Sequence, residues 1–592
     1  MEPEKPSTLQ PPDYAVIGVV MLISAGIGVY YRFTGGRQKT AEEYFVANRM
    51  MGVVPLGICL MVSFVSAITT LGISAEIYAH GTQFYVHYVG AVLATIVVAY
   101  FYLPVFFELN TVSVYEYLEK RFGVAARLAT SVANFVQLTL YTGIVLYAPS
   151  LAIEATTGLS STTSILWLGL ICIFYSAIGG IKAVLVTDVF QGVLMFVSLV
   201  CIVAVASGEI EGGLASVWDT ALKGQRVELL NFQVDPTVRH TWWCLVAGGF
   251  CLFCSLGVNQ VQVQRLLTVK SLRSSQLALF LSLPILVSYG TFTMFCGLVL
   301  YAVYRDCDPV AAGRIASHDR IMPYFAATKM SGYPGLVGLF VAGIFSASLS
   351  TVSAMLNSLA LVFLEDYLKR GYARLGKTFP VEQTAAFGKT LAVANGLVSV
   401  GMALLAGSFG SLVQLTLSVM GSICGPVLGI FTLGMFIEEA NEKGAIFGMS
   451  MALLTCLWAN FGRSRTKAPM LPVTASGCAN FTAPPVNTTT LATGSPEFYL
   501  YRISYMWLGP MGLAITVVVG YCASLVFREL ETRAGVATTK PDPSLFTPWL
   551  ARRIRRRRGA KEDATAGGQV VLGLEELQSV AREPRRRDLL RP

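Results

Sequence analysis

The sequence predicts an all-α membrane protein of about thirteen transmembrane helices: one leading helix, two inverted blocks of five, and two trailing helices. Three observations lead there. Of 592 residues, 54% are hydrophobic and 13% charged, with a mean hydropathy of +0.60, whereas a soluble domain carries about 25% charged residues. Apolar runs of about 20 residues, the length that crosses a bilayer as a helix, recur along the chain. Two of these runs are interrupted by small and hydroxylic residues, and the interrupted runs stand five spans apart.

Residues 1–13 lack a basic region with a cleavage site, so the first apolar run reads as a retained helix behind an extracellular N-terminus. Residues 14–51 hold that leading helix, from Tyr14 to Tyr31, and a loop with Arg32, Arg37, Lys39 and Arg49. The first block, 52–207, contains runs near 53–75, 83–107, 125–153, 162–180 and 186–207. After an extracellular loop at 208–240, the second block, 241–437, contains runs near 241–264, 276–304, 336–363, 388–406 and 411–437. Residues 438–527 supply the last two spans, near 444–461 and 506–527, and 528–592 form a basic tail.

Charge sets the direction. Lys plus Arg exceed Asp plus Glu by 44 − 35 = 9, and the excess lies mainly in the tail and in alternate short loops, a topological pattern rather than a nucleic-acid groove. Lys120, Arg121 and Arg127, then Arg265, Lys270 and Arg273, then Lys369, Arg370, Arg374 and Lys377 mark cytoplasmic loops, while the turns near 76–81 and 155–161 have no positive charge. The N-terminus is therefore expected outside and the C-terminus inside. Two N-x-Thr acceptors, Asn480 and Asn487, fall in a loop on the expected outer face. In the tail, Arg552, Arg553 and Arg555 to Arg558 form a juxtamembrane cluster suited to anionic lipid, the alternative being an unstructured stop-transfer segment.

Twelve cysteines form no metal-type pairing and mostly sit in apolar runs as small core residues. Cys307 and Cys478 alone fall in polar outer loops, where oxidation permits a disulfide; free thiols are the other reading. No paired-histidine metal motif or nucleophile elbow points to an enzyme, and no organic cofactor is implied. A channel would need a selectivity-filter loop or a ring of acidic residues, neither of which stands out.

In lipid, irregular backbone survives only where it lines a cavity, so the interrupted runs carry information. Ser63, Ser66, Thr69, Thr70, Gly72 and Ser74 interrupt the second run; Gly248, Gly249, Ser255 and Gly257 interrupt the seventh. Such residues also mediate close helix packing, but broken helices at matching positions of inverted halves point to a secondary transporter with a midplane site. The ninth run holds Ser346, Ser348, Ser350, Thr351, Ser353, Asn357 and Ser358, and adjacent Ser350 and Thr351 offer neutral oxygens to a monovalent cation. Asp188, at the start of the sixth run, is a coupling charge or cation ligand, or else an interfacial partner of Lys182. His80 and His87, near an outer end, read as hydrogen-bonded belt residues rather than proton relays.

At these residues the sequence resembles the sodium/solute symporter family over nearly its whole length. Gly179-Gly180-Ile-Lys-Ala-Val-Leu-Val-Thr187-Asp188-Val-Phe-Gln191 is similar to its GG-x-x-AV-x-x-TD-x-x-Q signature, and Asn259-Gln260-Val-Gln262-Val-Gln264-Arg265 to its NQ-x-QVQR motif. The second motif, with Leu349-Ser350-Thr351 and Gly425-Pro426, resembles the branch of sodium-coupled multivitamin, monocarboxylate and iodide transporters.

The resemblance implies the leucine-transporter-like fold and, as coupling ion, Na+ held by the carbonyls of Val62, Val65 and Ala347 with the hydroxyls of Ser350 and Thr351, Asp188 contributing to coupling. It implies plasma-membrane symport of a small organic anion, a monocarboxylate or a carboxylated vitamin, with an iodide-like anion as alternative. Thr69 stands where iodide carriers of the branch have glutamine, which favours the organic anion. Substrate candidates between the breaks are Ser66, Thr69, Phe253, Ser255, Asn259 and Gln414. With no Lys or Arg expected at the midplane, half-helix N-termini and neutral donors would hold the anion.

Overall fold

A backbone in lipid has no water to satisfy its polar groups, and this chain meets that demand with helices. The computed structural model describes residues 8–33, 49–109, 113–380, 383–406, 411–462, 470–478, 498–535 and 541–558, the side chains of 31–33, 175–183 and 385 excepted. Among the described residues every regular element is helical.

In chain order the helices that matter here are α1 (Pro11–Phe33), α2 (Val53–Phe64), α3 (Ile73–His80), α4 (Thr82–Leu109), α5 (Tyr115–Arg121), α6 (Val124–Thr157) and α7 (Ser161–Glu209). The second half continues with α8 (Trp242–Leu256), α9 (Gln260–Leu266), α10 (Leu272–Tyr304), α11 (Ile321–Lys329), α12 (Leu336–Arg374) and α13 (Thr384–Ala406). It ends with α14 (Leu412–Phe436), α15 (Glu442–Phe461) and α16 (Leu508–Arg533).

Ten helices among the described residues are long and apolar enough to cross a bilayer, twelve if each of two bent pairs counts as one span. The runs expected at 162–180 and 186–207 both lie on α7: Val184–Glu209 is one of the ten, and the described part of the other, Ser161–Phe174, is an apolar stretch below span length that would make the expected thirteenth.

Burial separates centre from rim. The apolar window of α12 is 89% buried and that of α6 72%, against 22% for α1 and α16. The serine-rich helix is thus the core of the bundle, which is where small side chains permit close approach. Glycines set one crossing that matters for the site: a Cβ on Gly90 of α4 would lie 2.3 Å from the Phe250 nitrogen, and one on Gly249 of α8 2.3 Å from the His87 carbonyl.

Candidate functional site

The first break falls between α2 and α3, which bend by 62°. Val65 is extended (φ −77°, ψ 119°), and a π-helical turn over Ile68–Gly72 follows. Local hydroxyls replace the lost ladder: Thr69 Oγ1 accepts the Ser66 N–H at 3.2 Å, and Ser66 Oγ accepts the Ile68 N–H at 3.2 Å. Turning the Ser66 N–H aside leaves the Val62 carbonyl free of its helical donor.

Helix α12 presents its paired hydroxyls to those carbonyls. Ser350 Oγ donates to Val62 O and to Ala347 O, both at 3.2 Å. Thr351 Oγ1 donates to Val65 O at 3.3 Å and to Ala347 O at 3.1 Å. All five residues are fully buried. The structure thus brings together the five oxygens named for sodium, all neutral and all hard donors of the kind an alkali cation takes.

The second break, between α8 and α9, bends by 60°. Each polar residue of the NQVQVQR run has a separate duty. Asn259 caps α9, accepting the Val261 N–H at 2.9 Å. Gln260 Oε1 accepts the Val114 N–H at 2.8 Å, Gln262 Nε2 donates to Ser63 Oγ at 3.0 Å, and Ser358 Oγ donates to Gln264 Oε1 at 3.1 Å. Arg265 donates to the Cys59 carbonyl at 3.2 Å and forms a 2.9 Å ion pair with Asp188. The half-helix is thereby tied to the first break, to α12 and to α7. Asp188 stands beside Arg265; the Lys182 side chain lies outside the described residues.

A cavity opens beside the first break. Ser66, Thr69 and Thr416 give it hydroxyls, Phe64, Tyr88 and Tyr141 aromatic walls, and His87 an imidazole. His87 Nδ1 lies 2.6 Å from the Phe84 carbonyl, so the ring is hydrogen-bonded as expected, but it faces inward and is 5% exposed. Of the six substrate candidates, Ser66 and Thr69 line this cavity. Phe253 lines a neighbouring one with Phe64 and Gln262. Ser255 Oγ donates to the Leu252 carbonyl at 2.6 Å and Asn259 Oδ1 caps α9; neither lines these two cavities.

Gln414 belongs to a charged cluster that sequence reasoning did not find. Arg239, from the loop before α8, grips Glu76 of α3 with Nε and Nη2 at 2.9 and 3.0 Å and donates to Gln414 Oε1 at 3.1 Å. His240 Nε2 lies 3.2 Å from Glu76 and 3.0 Å from Tyr505 Oη. Burial pushes the His240 imidazole below its ordinary value, partly offset by its hydrogen bond to Glu76. The signal that could have found the cluster was a lone Glu76 right at the end of an apolar run, where a buried carboxylate requires a cation partner.

Nearby, Cys307 and Cys478 are disulfide-bonded with Cα atoms 5.0 Å apart. Adjacent Asp308 accepts from Tyr78 Oη at 2.7 Å and from the Ala311 N–H at 2.6 Å. Burial raises its carboxyl, but hydrogen bonds from His318, Ala311 and Tyr78 outweigh that and hold it below the usual range. Asn480 and Asn487 lie outside the described residues.

Residues 44–452 match the profile of the sodium:solute symporter family. The chain is 46% identical over 566 residues to the "Putative sodium-dependent multivitamin transporter" of Drosophila melanogaster, covering 93% of each. To sodium-coupled monocarboxylate transporter 1 of Homo sapiens it is 36% identical over 535 residues, 87% of each. Among solved structures, the substrate-bound outward-open state of a Na+-coupled sialic acid symporter shares the fold, with a TM-score of 0.71 at 24% identity, over 88% of this chain and 98% of that one.

Proposed function

The chain belongs to the sodium:solute symporter family, and from that premise we propose a plasma-membrane symporter that imports a small organic anion by alternating access. It is a multi-pass membrane protein coupled to sodium and carries a small organic substrate. The substrate class we assign is a monocarboxylate or a carboxylated vitamin such as biotin or pantothenate; two relatives carry multivitamin and monocarboxylate names.

One observation carries the coupling: Thr351 Oγ1 reaches the Val65 carbonyl at 3.3 Å, and the next residue, Ser66, lines the central cavity with Thr69. A sodium ion taken by Val62, Val65, Ala347, Ser350 and Thr351 orders the same unwound turn that shapes the substrate's wall, so each ligand lowers the ordering cost of the other. Ser66, Thr69, Thr416 and His87 supply the polar contacts of that wall, and the N-terminal end of the half-helix that begins at Ile68 adds a positive dipole end for the carboxylate. Asp188, the coupling charge, is held by Arg265 and so links the second break to α7.

The two bends of 62° and 60°, each opening a block of the chain, support the inverted five-helix repeat. In the orientation read from charge, the N-terminus and the Cys307–Cys478 bridge face outside, Asn480 and Asn487 are glycosylated, and the C-terminus is cytoplasmic. The Glu76–Arg239–Gln414 cluster then closes the outer mouth above the cavity. An inward-negative potential adds about 2.3 kcal/mol per charge per 100 mV, so carrying more sodium than substrate charge makes uptake electrogenic. The test is uptake of labelled lactate, nicotinate, biotin and pantothenate in sodium and in choline medium. Sodium-dependent uptake of at least one is expected; equal uptake in both media for every transported compound sinks the assignment.

A further inference from the structure

Residues 541–558 of the basic tail are held against the transmembrane body. Leu545 and Phe546 are buried, the Arg121 guanidinium sits 4.9 Å from the centre of the Phe546 ring, and the Thr547 N–H donates to Met435 O at 3.1 Å. From 548 to 558 the chain is a helix, here α17. Its Ala551 and Ile554 are buried at 4% and 1% and pack with Phe546 and Leu550. Arg555 pairs with Glu108 at the end of α4 at 3.0 Å, and Arg557 pairs with Glu438, just past α14.

The opposite face is different. Trp549, Arg552, Arg553 and Arg556 fall at i, i+3, i+4 and i+7, one stripe of a helix. Trp549 is 66% exposed, and Arg553 lies 5.7 Å from its ring centre. None of the three arginines has an acidic partner among the described residues. Three uncompensated guanidiniums on one face repel one another, and the face becomes favourable only against anions. Guanidinium binds phosphate bidentately, tryptophan settles at the headgroup level, and Glu108 and Glu438 fix the helix where two spans end.

We propose that the outer face of α17 is a docking surface for anionic phospholipid headgroups of the cytoplasmic leaflet, held against the transport body by the opposite face. This rests on the orientation proposed above, with the C-terminus inside. The surface differs from a loose polybasic tail in being preorganised: the buried anchor presents Arg552, Arg553 and Arg556 together, so binding loses less conformational entropy.

The test uses the full chain reconstituted in phosphatidylcholine vesicles with and without phosphatidylserine, with trypsin added to the side that exposes the tail. Cleavage within the arginine cluster, followed by mass spectrometry, is expected to slow several-fold with phosphatidylserine and to lose that protection in high salt. In the R552Q/R553Q/R556Q variant, cleavage after the remaining Arg555, Arg557 and Arg558 is expected to proceed equally in both vesicles. These are exposed positions, and unchanged uptake in pure phosphatidylcholine shows that the variant folds. Equal cleavage of the unmodified chain in the two vesicles, or equal protection of chain and variant, overturns the proposal. So does protection produced by an acidic cytosolic protein and not by phosphatidylserine. Cleavage of the tail by trypsin outside intact cells overturns the orientation itself, a separate result.

Discussion

Arg265 Nη2 lies 2.9 Å from Asp188 Oδ2, with side chains 2% and 0% exposed, so the family's two sequence motifs meet as one buried ion pair. Neither Asp188 nor Arg265 can be removed alone without leaving an uncompensated charge in the bundle. Arg265→Gln should therefore destabilise the protein by about 3–5 kcal/mol. Adding Asp188→Asn should recover much of that loss, because the pair then becomes neutral. Thermal melting of the single and double variants in detergent checks this; strictly additive losses would mean that the two residues act independently.

Ser350→Ala with Thr351→Ala should damage sodium activation more than surface expression. Alanine is a good helix former and removes little volume, but it deletes the two hydroxyls that reach Val62 O and Val65 O. The sodium concentration for half-maximal uptake should rise several-fold, or coupling should vanish. A variant that reaches the surface with an unaltered sodium curve makes these hydroxyls packing groups.

Arg239→Gln should loosen the outer closure, since it removes a bidentate grip on Glu76 and a bond to Gln414 together. With Thr69→Cys as reporter in the cavity wall, a membrane-impermeant thiol reagent applied outside should react several-fold faster in the Arg239→Gln background. Unchanged labelling would place the closure elsewhere.

Asp319 gives a pH dependence. It precedes α11, and its Oδ2 accepts the Leu412 N–H at the start of α14, at 3.2 Å. Burial pushes its carboxyl from 3.8 up to about 6, with the Leu412 N–H opposing. The folded chain therefore keeps this proton up to about pH 6, while the unfolded chain loses it near 3.8. The group's contribution to stability is full below 3.8, falls as pH rises to about 6, and is flat above. The melting temperature of the unmodified chain, minus that of Asp319→Asn, should be larger at pH 5 than at pH 7. A difference independent of pH removes the carboxyl from this role.

Removing the Cys307–Cys478 bridge with paired serines should cost about 2–4 kcal/mol, and the loss should also loosen Asp308 from Tyr78 on α3. Maleimide applied to intact, unreduced cells should find neither thiol. Labelling of both cysteines under those conditions contradicts the bridge.

Composition, apolar run length and the two interrupted runs, read from the sequence alone, established a polytopic helical bundle and located both breaks, because a bilayer imposes a length and a polarity on every span. The Ser350–Thr351 pair was legible for the same reason: hydroxyls are conspicuous in an apolar helix. What each polar group touches was decided only by tertiary structure. Arg265 read as a loop charge and is the partner of Asp188; Gln414 read as a substrate ligand and is held by Arg239; Asn259 read as a ligand and caps a half-helix. His87 read as a rim histidine and lines the cavity. Hydropathy measures a residue against lipid, whereas a buried polar group is met by whatever the fold brings within a few ångströms, from two residues away for Asn259 to 175 for Arg239 and Gln414.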